Sequence, residues 1–253
     1  MKKTAFVTGA TSGFGKAIAK KFAEAGYKVI INGRRADRLQ SLAEELTQKY
    51  LAPVHIASFD VRDKDAVFKA VEAFPSEFQY VDVLVNNAGL ALGRDYFEDA
   101  RIEDWETMID TNVKGLLYVT RAVLPKMVER SSGHIINIGS VAGKEVYEKG
   151  NVYCGTKHAV TALSEAMRID LLKNKIKVTA IHPGAANTEF SAVRFKGNME
   201  LAESVYKGYE PLKAEDIADI VLYCVSLPER VVINDLVVTA LAQANSFYFL
   251  REE

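Results

Sequence analysis

The sequence predicts an α/β chain folded as one doubly wound domain of Rossmann type over residues 1–253, a parallel sheet of about seven strands with helices on both faces. Three observations lead there. Short β-branched runs alternate with longer segments of helical period. The runs are apolar on both faces, as strands inside a helix-covered sheet are. A glycine-rich turn directly follows the first run.

Taken in order, strands are predicted at 4–8, 28–32, 54–59, 81–85, 133–139, 177–181 and 236–241. Helices are predicted at 15–25, 36–49, 102–129, 152–172 and 214–226. After Pro183-Gly184 the rhythm gives way to a polar stretch reaching Tyr209, so a substrate lid is expected at about 185–210. No repeat, low-complexity tract or Pro/Ser linker marks a second domain.

Composition narrows the function. With 49% hydrophobic and 26% charged residues the chain has the make-up of an ordinary globular protein. No segment approaches the 18 or so apolar residues of a membrane span. The apolar run after Lys2-Lys3 is too short for a secretory signal. A formal net charge of −1 offers no footprint for nucleic acid. Cys154 and Cys224 have no metal-ligand spacing. The expectation is therefore a cytoplasmic protein with a small-molecule partner and no bound metal.

Thr8-Gly9-Ala10-Thr11-Ser12-Gly13-Phe14-Gly15 lies between the first strand and the first helix. Backbone N–H groups and the helix dipole favour a pyrophosphate there. Gly9 permits the turn, Gly13 a close approach to phosphate, and Gly15 close helix packing. The end of the second strand, where an acid would bind the ribose of NAD, carries Asn32-Gly33-Arg34-Arg35. Arg34 and Arg35 are either the readers of the 2′-phosphate of NADP or solvated charges at a helix start. Asp60-Val61, ending the third strand, either flanks an adenine or opens a helix.

Tyr153 and Lys157, four apart on a predicted helix, share one face. A phenol with its ordinary pKa of about 10 is a poor base at neutral pH, and a nearby ammonium favours the phenolate. On an arbitrary helix the same spacing describes a packed ring and a solvated amine. The setting is what distinguishes this pair: Ser140 ends a strand, Asn86-Asn87-Ala88-Gly89 follows another, and Asn112 lies in the next helix.

With those residues in this order and spacing, joined by Pro183-Gly184-x3-Thr188, the chain resembles the short-chain dehydrogenase/reductase family over nearly its whole length. The resemblance implies that Ser140 holds the substrate oxygen and that Tyr153 exchanges its proton. It also implies that Lys157 binds the nicotinamide ribose and lowers the Tyr pKa, and that Asn112 steadies a water in a relay. Cofactor contacts are implied at Gly9, Thr11, Ser12, Gly13, Phe14, Gly15, Arg34, Arg35, Asp60 and Val61. Further contacts are implied at Asn87, Ala88, Gly89, Tyr153 and Lys157, with Pro183, Gly184 and Thr188 around the carboxamide.

Longer segments, NNAGLALG, EDWETMIDTN, RAVLPKMVER, GHIINIGS, GNVY and TEFSAVRFKG, resemble the branch of NADP-dependent 3-hydroxy acid dehydrogenases. That branch implies NADP(H) as cofactor, a small 3-hydroxy acid such as serine as substrate, and a homotetramer or homodimer. A substrate carboxylate needs a cation, and Arg194 is the first candidate, with Lys144, Lys149 and Lys196 as alternatives. The loop 144–149 is more charged, and Ala185-Ala186-Asn187 smaller, than the branch usually shows. A broad carbonyl reductase and a non-catalytic cofactor-sensing protein are the competing readings. The apolar tail 239–250 is expected to be either a subunit contact or a pocket wall.

Overall fold

Strand residues alternate between two cores. Ala5, Val7, Val29, Ile31, Val83, Val85 and Ile136 face one cluster, while Phe6, Ile30, Leu84 and Ile135 face the other. The period of two places every second side chain on the opposite face, and both faces are apolar because both are covered. The computed structural model describes residues 2–252, so the two terminal positions of the expected 1–253 unit lie outside the described residues.

The strands are β1 (Thr4–Val7), β2 (Lys28–Gly33), β3 (Val54–Ser58), β4 (Val83–Asn86), β5 (Gly133–Ile138), β6 (Ile176–Pro183) and β7 (Asp235–Val238). They form one sheet in the order β3-β2-β1-β4-β5-β6-β7, with every pair parallel. The order reverses between β1 and β4, the switch point at whose carboxyl side such sheets bind ligands.

Helices α1 (Gly13–Glu24), α2 (Ala36–Tyr50) and α9 (Ala214–Ser226) supply Ile18, Phe22, Leu39, Leu42, Ile217 and Val221 to the first core. Helices α3 (Lys64–Glu72), α5 (Leu116–Glu129) and α6 (Asn151–Asp170) cover the other face, with Val67, Val119, Val123 and Met127 buried.

Several boundaries depart from expectation. The helix predicted over 102–129 is interrupted. It comprises α4 (Ile102–Ile109), a π-helical segment at Asp110–Gly115, and α5. Side-chain periodicity does not register a π segment, which shifts the helical phase without breaking the apolar pattern. The predicted strand 81–85 begins two residues later, because Asp82 pairs at the edge of β1: its N–H donates to the Thr4 carbonyl and its carboxylate accepts from Thr4 N at 2.7 Å. The last strand ends at Val238, short of the predicted 241. Helix α3 was not expected; its N-cap is Asp63, whose side chain accepts from Ala66 N at 3.0 Å. The polar stretch after β6 contains two short helices, α7 (Glu189–Arg194) and α8 (Met199–Ser204).

One buried group carries a pH prediction. His134 on β5 contacts Thr179 Oγ1 at 2.8 Å, and burial, with Lys177 adding to it, lowers its pKa to about 3. The unfolded chain binds that proton near 6.5, so it holds more protons than the folded protein between those values. Stability is therefore expected to fall as pH drops from about 6.5 toward 3. His134→Gln should flatten that part of the curve in urea titrations at stepped pH. An unchanged slope would remove His134 from the acid response.

Candidate active site

The cleft along the carboxyl edge of β1, β4, β5 and β6 has a volume of about 900 Å³. One end is built by the glycine loop. Gly9 has φ +65°, and a Cβ there would stand 2.9 Å from Ala88 Cα, so the turn and its close neighbour both require glycine. At Gly15 a Cβ would collide with the Gly9 carbonyl, which ties this glycine to the tightness of the loop as well as to helix packing. Ser12, the N-cap of α1, makes no side-chain cap, and the first turn holds no acid. A helix start with neither cap nor acid leaves backbone N–H groups free for an anion.

Asn87 spends its side chain on this loop, donating to the Thr8 carbonyl at 2.8 Å and the Gly9 carbonyl at 3.2 Å. Thr8 Oγ1 accepts from Asn87 N and Ala88 N, both at 3.0 Å. The turn after β4 is thereby fastened to the turn after β1. Arg35 donates to Thr11 Oγ1 at 2.7 Å and to Ser12 Oγ at 3.1 Å, while Arg34 is more exposed and 3.8 Å from Asp60. Asp60 is not a helix cap. It accepts from Arg62 through both oxygens. Against burial, which would raise it, the Arg62 hydrogen bonds hold the Asp60 carboxyl below its ordinary value. Asp60 and Val61 both line the cleft.

The other end gathers Ser140, Tyr153 and Lys157, all buried. Ser140 follows β5 and caps the 3-10 turn Val141–Gly143, its hydroxyl accepting from Ala142 N at 3.1 Å. Tyr153 and Lys157 come from the first turns of α6, with Lys157 Nζ 6.0 Å from the Tyr153 ring centre. Burial pushes the Tyr153 phenol above its ordinary range and nearby Tyr147 adds to that, whereas Ser140 and the Arg194 cation oppose it. Lys157 Nζ donates to the Ile138 carbonyl at 2.9 Å, and burial lowers its pKa to about 8.

Asn112 sits in the π segment, and its side-chain amide makes three hydrogen bonds. Oδ1 accepts from Leu90 N at 2.8 Å, and Nδ2 donates to the Leu90 carbonyl at 2.8 Å and to Thr156 Oγ1 at 3.0 Å. Asn112 Oδ1 and Lys157 Nζ both border Gly89. Pro183 ends β6. Gly184 abuts Gln243, whose Oε1 accepts from Ala185 N at 2.8 Å. Thr188 caps α7 and packs against Gly13.

Two of the three lysine alternatives for an anion are paired with acids, and the third lines the cleft. Lys144 pairs with Asp235 at 2.8 Å, Lys196 with Asp104 at 2.6 Å, and Lys149 lies 4.2 Å from the centre of the Tyr96 ring. Arg194 is at the site. Its guanidinium carbon lies 5.5 Å from the ring centres of both Tyr147 and Tyr153, Nη1 donates to Tyr147 Oη at 2.8 Å, and Nε donates to the Gly93 carbonyl at 3.3 Å.

Sequence reasoning missed several wall residues: Phe190, 5.7 Å from the Tyr153 ring, Gln243, and Arg94. Of the tail, Phe249 lines the cleft as a pocket wall, while Leu241, Phe247, Tyr248 and Leu250 are exposed. Among the described residues no helix is long and apolar enough to cross a membrane, and no cluster of metal-ligating side chains is present.

The burial of Lys157 has a thermodynamic signature. The unfolded chain keeps this proton up to about 10.5 and the folded protein releases it near 8, so the unfolded state holds more protons between these values. Stability should rise with pH across that window. Lys157→Met should raise the Tm of the cofactor-free protein at pH 7 by removing a buried-charge penalty of roughly 3 kcal/mol. A fall in Tm by differential scanning calorimetry would show that the Ile138 hydrogen bond outweighs that penalty.

The short chain dehydrogenase family model matches residues 3–198. The chain is 50% identical over 239 residues to the NADP-dependent 3-hydroxy acid dehydrogenase YdfG of Salmonella typhi, covering 94% of this chain and 95% of that protein. It is 45% identical over 249 residues to sulfoacetaldehyde reductase 2 of Chromohalobacter salexigens, covering 98% of each. Among solved structures, the closed form of serine dehydrogenase complexed with NADP+ superposes with a TM-score of 0.93 at 47% identity, over 99% of this chain and 100% of that one. Serine dehydrogenase from Escherichia coli matches with a TM-score of 0.82 at 44% identity, over 95% and 99%.

Proposed function

The chain belongs to the short-chain dehydrogenase family, and from that premise we propose that it is an NADP-dependent oxidoreductase acting on the carbinol carbon of a small 3-hydroxy acid, of serine, 3-hydroxyisobutyrate or 3-hydroxypropionate type. The observation that carries this reading is Arg194, a fork-shaped cation held between Tyr147 and Tyr153 at the wall of the cleft. A carboxylate on that guanidinium sets a hydroxyl two carbons away beside Ser140 and Tyr153.

The residues fit the cofactor. The uncapped, acid-free start of α1 suits the pyrophosphate, and the second strand ends in arginines instead of an acid. Gly9, Thr11, Ser12, Gly13, Phe14 and Gly15 hold the phosphates, Arg34 and Arg35 the 2′-phosphate, and Asp60 and Val61 the adenine. Asn87, Ala88 and Gly89 floor the ribose side, with Pro183, Gly184 and Thr188 around the carboxamide. When bound, NADP(H) accepts or donates the hydride.

The proton chemistry belongs to the chain. Ser140 and Tyr153 hydrogen-bond the substrate oxygen, and Tyr153 takes its proton in oxidation and returns it in reduction. Since burial holds the phenol up, the phenolate depends on nearby cations: Arg194 opposes the rise, and Lys157 lies 6.0 Å from the ring centre. Lys157 keeps donors for the nicotinamide ribose beside its bond to Ile138. Asn112 fixes Leu90 and α6 around Lys157 and steadies the relay water. Segment 185–210 acts as the lid, and the protein works in the cytoplasm as a homodimer or homotetramer.

The test is a parallel assay of serine, 3-hydroxyisobutyrate, 3-hydroxypropionate and neutral alcohols with NADP+ and NAD+, followed by nicotinamide absorbance. Preference for the acids with NADP+ is expected. Preference for neutral alcohols or ketones identifies a broad carbonyl reductase, and no turnover identifies a binding protein. A second reading, that the anion is a sulfonate, is favoured by the sulfoacetaldehyde reductase relative. Isethionate in the same panel separates the two.

A further inference from the structure

Arg35 and Arg38 share one anion, and that anion comes from the far side of the cleft. Glu189, the first residue of α7, accepts from Arg35 Nη1 at 3.1 Å and from Arg38 Nη1 at 2.7 and 3.0 Å. Arg35 is held in place independently by Thr11 and Ser12, so its guanidinium presents its remaining edge to whatever anion is near. We propose that Glu189 occupies the place of the cofactor's 2′-phosphate, and that phosphate and carboxylate compete for Arg35 and Arg38. The inference deepens the reading above, in which Arg34 and Arg35 meet that phosphate, and adds Arg38 as a third reader.

The competition is one of charge. Two arginines can neutralise one carboxylate or one phosphate comfortably. Two anions within hydrogen-bond distance of the same fork repel each other. NADP(H) must therefore displace Glu189, and NAD(H), lacking the phosphate, need not. The carboxylate thus weakens the preferred cofactor selectively and eases its departure after turnover.

The location makes the exchange consequential. Glu189 is followed by Phe190, which packs near Tyr153, and α7 ends in Arg194, whose cation lies over the same ring. Thr188, just before it, lies against Gly13 of the phosphate loop. One six-residue helix therefore joins the phosphate end of the cleft to the proton-transfer end. Arrival of the phosphate removes an anchor from the start of that helix, and its departure restores the anchor. The three side chains are about half exposed, so the cluster adds little to folding stability, and its variants should fold.

The experiment is titration of NADPH and NADH by fluorescence into the full-length protein and its Glu189→Gln, Arg38→Gln and Arg35→Gln variants. Glu189→Gln should tighten NADPH by about tenfold and leave NADH within about twofold. Arg38→Gln should weaken NADPH and spare NADH. Equal tightening of both cofactors would show that Glu189 acts on the lid alone, and weaker NADPH would show that it assists the phosphate. Either outcome overturns the competition. Arg35→Gln tests the reading beneath it: an unchanged NADPH to NADH ratio removes the phosphate from Arg35, whatever Glu189→Gln does.

Discussion

Tyr153→Phe is expected to lower turnover of a 3-hydroxy acid by about a thousandfold, the range in which a positioned acid or base contributes. The ring survives the change, so its packing against Phe190 and beneath Arg194 persists, and only the hydroxyl is lost. NADPH should bind with a dissociation constant within about tenfold of the parent, because a single hydrogen bond to the ribose side is the most the cofactor forfeits. Steady-state rates and a fluorescence titration on the same preparation check both halves. Turnover above a tenth of the parent rate would move the proton role to another group.

Arg194→Ala has the second largest expected effect, and it should divide into two parts. For acids, kcat/KM should fall by about a hundredfold, since a charge-assisted pair to the carboxylate is lost. For neutral alcohols that part should be absent. A common part remains: with its opposing cation gone, the Tyr153 phenol rises further, so the oxidation profile of every substrate should move to higher pH. Kinetics on serine and a neutral alcohol from pH 6 to 10 separate the two. Equal losses at all pH values on both substrates would leave Arg194 with no role in reading the anion.

How far the sequence carries depends on how local each feature is. The glycine turn, the Ser140 strand end and the Tyr153-Lys157 helix face are each written within a few residues of one another, and the alternating strands set the sheet that brings them to one edge. The partners of Arg35 were illegible because Glu189 lies 154 positions away. The same distance problem left Lys144, Lys149 and Lys196 as alternatives to Arg194 at the substrate end. Only the fold commits Lys144 to Asp235 and Lys196 to Asp104, leaving Arg194 over the catalytic ring. The charged loop 144–149 also gains an account: Glu145 accepts from Ser246 N at 2.8 Å and Glu148 from Tyr96 Oη at 2.9 Å, so its charges fasten neighbouring loops.

Strand order also governs how this protein acquires its activity. The central pairing sets Ala5 opposite Val83, so the chain between β1 and β4 is the longest loop that any neighbouring pair of strands closes. Closing so long a loop is slow, and it yields its contacts only at the end. Thr8 meets Asn87 across that same seam. The turns after β1 and β4 therefore come together only through the longest closure in the sheet, and a chain that has not yet made it has no complete cleft.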